Sequence, residues 1–533
     1  MRSTMMRDGL SLNDLLERAG RLHGESQLVS RLPDKSLVRH SFAQYYQRTR
    51  RLASALLAAG LKKGERVATL CWNHHVHLEC YFGIPAAGGV MHTLNLRLSP
   101  DDIAWIANHA KDRFLIVDDI LLPLYEQIRA KTAFEKVFVV PFSGKPVPQG
   151  FASYEDFLAG APEKFSYVPH DENDPVSMCY TSGTTGRPKG VAYSHRSTII
   201  HTLVGTLPDY WGLSARSSVM PATPMFHANC WGIPYACVML GIKMIFPGPH
   251  LHPEDLLDLM TQEQPSYVLG VPTIWMGMAQ LLESDPQKYR LPNGVRMLVG
   301  GAAMPESLIR TYAKHGAAVT QGWGMTETSP LGSVSYLKPN LQGLGDDEKF
   351  KRYASAGIPV PLVRLRIIGN DGTEQPWDGV AVGEIQVRGP FITGSYHDVP
   401  PEPEKFTADG WLRTGDVASI DPHGYIRIAD RTKDLIKSGG EWISSVDMEN
   451  RLMGHAAVQE AAVIAIADEK WGERPLACVV LKQGKKASAD ELRAHLAGAF
   501  AKWQLPDRFE FLEAIPRTST GKFWKVKLRE IFR

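Results

Sequence analysis

One stretch of the chain concentrates groups that hold anions. Tyr180-Thr181-Ser182-Gly183-Thr184-Thr185-Gly186-Arg187-Pro188-Lys189-Gly190 sets hydroxyls, glycines and a lysine side by side. Small residues let backbone N–H groups approach an anion closely, hydroxyls add donors and Lys189 adds charge, so the chemistry suited to this run is cradling phosphate. It lacks the G-x-x-x-x-G-K-S/T spacing of a Walker loop. A flexible linker could share its Gly, Ser and Thr content, but Arg187-Pro188-Lys189 is foreign to one. Ser182 has no G-x-S-x-G around it, which argues against a hydrolase nucleophile.

A second run invites a metal. Cys71-Trp72-Asn73-His74-His75-Val76-His77-Leu78-Glu79-Cys80 would place His74, His77 and Cys80 on one face of a helix beginning near Asn73. That spacing fits no standard zinc pattern, and ordinary core residues are the expected reading.

Other segments gain meaning from their order. They are Pro224-Met225-Phe226-His227, Gly300-Gly301-Ala302 and Gln321-Gly322-Trp323-Gly324-Met325-Thr326-Glu327. Trp411-Leu412-Arg413-Thr414-Gly415-Asp416, Asp430-Arg431-Thr432-Lys433-Asp434 and Pro516-Arg517-Thr518-Ser519-Thr520-Gly521-Lys522 follow. With the phosphate run, this ordered set resembles the adenylate-forming (ANL) superfamily of acyl-CoA synthetases, luciferases and peptide-synthetase adenylation domains over nearly the whole chain. Asp434–Ser445 is similar to the run shared by bacterial fatty-acyl-CoA synthetases and methylmercaptopropionate-CoA ligases.

The resemblance implies a reaction in two halves. A carboxylate joins the α-phosphate of ATP with release of pyrophosphate, and the acyl-AMP then passes its acyl group to the thiol of coenzyme A. Positioning and charge neutralisation are what such a transfer asks of a protein. Thr181, Ser182, Gly183, Thr184, Thr185 and Lys189 are expected at the phosphates of ATP or AMP, with Thr326 donating to the α-phosphate. Glu327, with Thr184, is the expected oxygen ligand set for Mg²⁺. Gly301, Ala302, Gln321, Gly322, Trp323, Gly324 and Met325 are expected around the nucleotide, Trp323 offering a flat face to adenine. Asp416 and Arg431 are expected at the ribose.

Lys522 would bridge the attacking carboxylate and the α-phosphate, and His227 is expected beside it. Met225, His227, Trp231, Gly301 and Met325 would form the acid pocket, Trp231 standing where this branch carries a gating tryptophan. Lys437, Ser438, Gly439, Gly440, Glu441 and Trp442 would line the coenzyme A path after a swing about a hinge at Lys433 and Asp434. Asp430 stands where most members have glycine, which leaves the hinge's backbone freedom open. The expected acid is short to medium, with 3-methylmercaptopropionate as the specific choice; a medium- or long-chain fatty acid is the alternative. A carrier-loading adenylation domain and a non-catalytic nucleotide binder are further alternatives; the second is disfavoured because Lys522 and Glu327 are both present.

Such groups need a scaffold. Apolar runs at Arg66–Cys71, Phe114–Val117, Lys136–Val140, Ser177–Thr181, Tyr267–Val271 and Arg296–Val299 read as buried strands. Helical patterns at Ala53–Ala59, Pro100–His109, Pro253–Met260 and Glu306–His315 lie between several of them, so layered α/β with mostly parallel sheets is expected. From about residue 360, Val363–Ile368, Gly383–Arg388, Asp416–Ile420 and Tyr425–Ile428 read as close-spaced antiparallel or barrel-like strands. The last hundred or so residues read as a small α+β unit with strands Ala461–Ile466, Ala477–Leu481 and Arg508–Leu512 and helix Ala489–Phe500. In its basic tail helix, Lys522, Lys525, Lys527 and Arg529 read as a solvated face. The expected division is a large domain over 1–430, a hinge over 431–434 and a mobile domain over 435–533.

Composition sets the outer limits. Against 59 Lys+Arg stand 57 Asp+Glu, so the chain projects no strong field toward nucleic acid or anionic membrane. Ser217–Ile242 is apolar enough to span a bilayer, but Pro221, Pro224, Pro234, His227 and Asn229 would break such a helix. Scattered cysteines without a CxxC pair suit a reducing compartment, and the N-terminus lacks a signal-peptide core. A cytoplasmic enzyme is expected, and the family suggests a homodimer.

Overall fold

A computed structural model describes residues 3–181, 187–400, 402–438, 441–518 and 521–532; for Glu441 and Trp442 only the backbone is described. Its first sheet runs Ala152–Ser153, Lys136–Val140, Asp112–Asp118, Arg66–Leu70, Val90–Thr93, Pro175–Tyr180, Gly190–Ser194. All neighbours are parallel except the last pair, which is antiparallel and flanks the phosphate run in sequence.

The second sheet has a parallel centre: Ala318–Gly324, Arg296–Val299, Tyr267–Gly270, Ser218–Pro221, Lys243–Phe246 and Gln27–Arg31. Antiparallel strands Leu331–Val334, Ile358–Pro359 and Leu37–Ser41 finish its edges. The apolar runs read from sequence thus become buried parallel strands, as two-sided burial by helices requires.

Helix positions follow the caps. Pro100–Ala110 begins after Ser99, which accepts from Asp102 N, and ends at left-handed Lys111. The pattern read at Ala53–Ala59 is only the end of a longer helix, Phe42–Ala58. Its true start is a capping box of Ser41 and Gln44, upstream of the apolar repeat. The apolar stretch 217–242 folds as strand Ser218–Pro221, a left-handed turn and helix Ile233–Leu240, buried in the core. Among the described residues, no helix is long and apolar enough to cross a membrane. Fully buried rings such as Trp211, Tyr235 and Phe246 hold this core, each worth roughly 1.5–3 kcal/mol relative to exposure.

The third sheet is antiparallel as expected: Arg364–Ile368, Gly383–Arg388, Leu412–Ile420, Ile426–Arg431. Its path is open, and Ile426 also bridges Gly357 beside the second sheet. The C-terminal unit packs helices on a sheet of Glu441–Ile443, Ile436–Ser438, Gly472–Leu481 and Val458–Asp468. Arg508–Phe511 pairs parallel with Gly472–Leu481.

Candidate functional site

The three sheets of the body and the C-terminal tail converge on a cavity of about 370 Å³. At one end, Thr181, Arg187 and Lys189 line its wall. Ser182, Gly183, Thr184 and Thr185 lie outside the described residues. The neck of their loop is closed by Thr181 N donating to Lys189 O at 2.9 Å and Lys189 N donating to Thr181 Oγ1 at 3.1 Å. Lys189 Nζ donates to both carboxylate oxygens of Glu402 at 2.6 Å and sits 5.0 Å from the Tyr396 ring centroid. Tyr396 OH in turn donates to Glu327 Oε1 at 2.7 Å. Lysine, aromatic ring and two carboxylates thereby fix one another at this end of the cavity.

Glu327 is buried on the cavity wall beside Thr326, whose carbonyl accepts from Tyr193 OH at 2.8 Å. With one oxygen engaged by Tyr396, the carboxylate keeps acceptor capacity for a hard cation. The donor set on this wall fits Mg²⁺.

The middle of the cavity is framed by strand Ala318–Gly324 and the strand that carries Asp416. Gly322, Trp323, Gly324 and Met325 line it. Trp323 Nε1 donates to Asp416 Oδ2 at 2.8 Å, and Arg431 Nε lies 3.4 Å from Asp416 Oδ1. Two expectations change here. Gln321 turns away: its amide braces Met304 N at 2.5 Å and Ala354 O at 2.8 Å, so its side chain is spent on the fold. Ala302 is exposed and does not line the cavity, although Gly301 does.

The other end is apolar. His227, Ala228, Trp231, Trp211, Gly300, Gly301 and Leu331 bound it. Residues 228–231 all have positive φ, from 42° to 57°, a conformation L residues rarely string together. The turn presses the Trp231 ring against Gly300, where an added Cβ would lie 3.2 Å from the indole. Met225 is not on the wall: it is fully buried, with its N–H on Asn73 Oδ1 and its carbonyl accepting from Tyr81. Burial, then the cations Lys522 and Arg97, pull His227 down to about 4, so it is neutral near pH 7.

Lys522 reaches this cavity from the C-terminal unit. Its loop is tied by Thr518 N donating to Lys522 O at 2.8 Å, and Gly521 rests against Val271 and Thr273 of the body. The Lys522 side chain approaches Gly301. Burial first, then Arg431, lowers Lys522 to about 8, while Asp416 and Glu327 pull the other way.

Lys433 lines the cavity as well, and Asp434 Oδ1 lies 2.7 Å from Arg529 Nη2. Lys437 and Ser438 do not line it: Lys437 N donates to Glu473, and Ser438 Oγ accepts from Arg474 at 3.1 Å. Gly439 and Gly440 lie outside the described residues, as do the side chains of Glu441 and Trp442. At the cysteine–histidine run, the expected helical face is not the cluster that forms. Cys71, His74 and Asp118 come within reach of one ion, but His74 Nε2 is hydrogen-bonded to Asp118 Oδ1 at 2.9 Å and His77 to Thr69 at 3.0 Å. These are core polar pairs, sealed from solvent.

Trp211, Tyr396 and Lys405 also line the cavity and were not expected from the sequence. Tyr396 and Lys405 belong to a turn-rich stretch without periodicity, so no local signal marks them. Arg187, named within the phosphate run, lines it as well.

Comparison with known proteins gives the family. The model of the AMP-binding enzyme family matches residues 16–397, and that of the AMP-binding enzyme C-terminal domain matches 447–522. The chain is 48% identical to a long-chain-fatty-acid–CoA ligase of Thermus thermophilus, covering 100% of this chain and 97% of that one. It is 41% identical to a 3-methylmercaptopropionyl-CoA ligase of Ruegeria lacuscaerulensis, covering 100% and 99%. Among solved structures, an anthranilate CoA ligase, AuaEII, in complex with anthranoyl-AMP superposes with a TM-score of 0.87 at 25% identity, covering 100% and 99%. The chain therefore belongs to the AMP-binding enzymes of the adenylate-forming superfamily, as an AMP-forming acid–thiol ligase.

Proposed function

We propose that the chain activates a short- to medium-chain carboxylic acid, 3-methylmercaptopropionate being the specific choice, through acyl-AMP to its coenzyme A thioester. The observation that carries the size class is the apolar end of the cavity, which Trp231 closes against Gly300. In this reading a short aliphatic or thioether chain would not require that ring to move, and the two chains are near-isosteric. The likeness to the Ruegeria ligase supports the thioether acid. The likeness to the Thermus ligase favours a second reading, a long-chain acid admitted by displacing Trp231. Measuring kcat/KM for straight-chain acids of increasing length and for 3-methylmercaptopropionate tests the choice. A preference for palmitate over every short acid overturns it.

The site residues take the following roles in this reading. Lys189, Arg187 and Thr181 receive the β- and γ-phosphates of ATP, and Thr326 donates to the α-phosphate. Glu327, with Thr184, would hold Mg²⁺, which neutralises phosphate charge when bound. Trp323 stacks beside adenine while Asp416 accepts from the ribose, a position that its bond to Trp323 Nε1 prepares. Neutral His227 orients the carboxylate without competing for it as a cation. Lys522 places its ammonium between carboxylate and α-phosphate, where negative charge is shared as the new P–O bond forms and pyrophosphate leaves.

The division into a body over 1–430, a hinge over 431–434 and a cap over 435–533 belongs to the same reading. That Lys522 lines the cavity supports an adenylating orientation of the cap. A swing about Lys433 and Asp434 would withdraw it and bring Lys437, Ser438, Gly439, Gly440, Glu441 and Trp442 to the cavity for coenzyme A. A cytoplasmic homodimer completes the reading.

A further inference from the structure

The basic tail does not form the solvated face its charges suggest. Lys527 pairs with Glu530 at the surface, but Lys525 is buried, its side chain 10% exposed and its Nζ 2.7 Å from Glu449 Oε1. Lys525 Nζ also donates to Ser445 Oγ, and that hydroxyl donates to Asp430 Oδ2. Ser445 N donates to the same oxygen at 3.2 Å, while Asp430 Oδ1 accepts from Arg431 N at 2.8 Å. Next to them Ser444 Oγ donates to Ala429 O at 2.6 Å.

Asp430 is only 3% exposed, and a buried carboxylate needs this many donors. Apart from Arg431 N, the donors to this carboxylate are the N–H and hydroxyl of Ser445, at the first turn of helix Ser445–Met453, whose free N–H groups and dipole suit an anion. Burial raises the carboxyls of Asp430 and Glu449, the latter to about 7, with Lys525 opposing the rise in each. Burial alone would lower Lys525, but Glu449 and Asp430 hold it above its ordinary value. The group is therefore interlocked, and none of its members is spare.

The chain order gives this cluster its significance. Asp430 lies in strand Ile426–Arg431, paired with Val417 of the body. Ser445, Glu449 and Lys525 all lie beyond Lys433. Any rotation at Lys433 carries them away from Asp430. Asp430 has no positive φ, so its backbone does not require glycine.

We propose that Asp430 is a positioning residue for Lys522, locking the cap in its adenylating orientation through the N-terminus of helix Ser445–Met453 and Lys525. The inference rests on the reading that the cap alternates. The lock must open before thioester formation, so its strength sets the balance between the two half-reactions.

The test uses the full chain carrying Asp430→Asn, close in size but without the charge. Acyl-AMP formation is followed by ATP–pyrophosphate exchange, and thioester formation by adding synthetic acyl-AMP with coenzyme A. The expected result is that the ratio of the two rates shifts about tenfold against adenylation, the scale of a lost charged hydrogen bond. Ser445→Ala, which leaves the carboxylate in place, shifts the ratio in the same direction by less and secures the test if Asp430→Asn misfolds. An unchanged ratio in the folded variants, or equal loss in both half-reactions, overturns the lock. Lys522→Ala separates the failures. If it does not divide the half-reactions, the alternation itself falls. If it does and Asp430→Asn has no effect on the ratio, only the lock falls.

Discussion

At the phosphate end of the cavity, Lys189, Glu402, Tyr396 and Glu327 hold one another by charge and hydrogen bonds. At the acid end, Trp231, Trp211 and Gly300 are placed by a left-handed turn and by ring packing. In the proposed reading the first end receives a ligand that never changes, so point charges with defined partners would suffice. The second would discriminate among acids that differ by methylene groups, for which shape is the means available to it. Lys522 enters between the two ends, and its ammonium belongs to neither.

The largest expected effect removes that bridge. Lys522→Ala lowers acyl-AMP formation by about 10²–10³-fold, the usual loss for a transition-state donor, and spares thioester formation from supplied acyl-AMP. If both half-reactions fall together, the two ends were never joined by this lysine alone.

A pH profile comes next. Lys522 must be protonated to act, and its value near 8 means that the charged form is lost as pH rises through 8. Adenylation kcat/KM falls about tenfold per pH unit above that point, and Lys522→Arg removes the decline within the same range. A flat profile in the native chain would assign the charge elsewhere.

The acid end should respond to shape only. Trp231→Ala raises kcat/KM for longer acids over short ones by about tenfold, the scale of one or two methylenes in an apolar pocket, and leaves KM for ATP unchanged. The smallest effect is expected at the phosphate end. Glu402→Gln frees Lys189 from a partly exposed ion pair and lowers KM for ATP by about twofold to fivefold. A change in KM for the acid in that variant would show that the two ends are coupled.

Much of this was legible in the residues. Parallel strands such as Lys136–Val140 and Arg296–Val299 announce themselves because burial on both faces demands an unbroken apolar run. Lys189 stood out in a Gly-, Ser- and Thr-rich run suited to anions, whereas Thr326 and Glu327 were singled out only by the ordered set of motifs; all three line the cavity. Gln321 and Ala302 show the limit: motif membership does not decide which way a side chain points. Gln321 faces inward to brace Met304, whereas Trp323, two residues on along the same strand, reaches Asp416. Tyr396 and Lys405 carry no periodic signal, and only the return of the chain beside the phosphate run gives them a place in the cavity.

The sequence by itself determined the parts: the family, the order of its motifs and the class of reaction they serve. Those follow from residue type and local spacing, which are properties of the chain. Tertiary structure alone decided the pairings across long separations. Glu402 meets Lys189, Tyr396 meets Glu327, and Lys525 sits over Ser445 and Asp430 instead of facing water. A charge in a sequence has no partner until the fold supplies one. Burial then determines whether that charge faces water or, as at Asp430, is held by buried donors from a distant part of the chain.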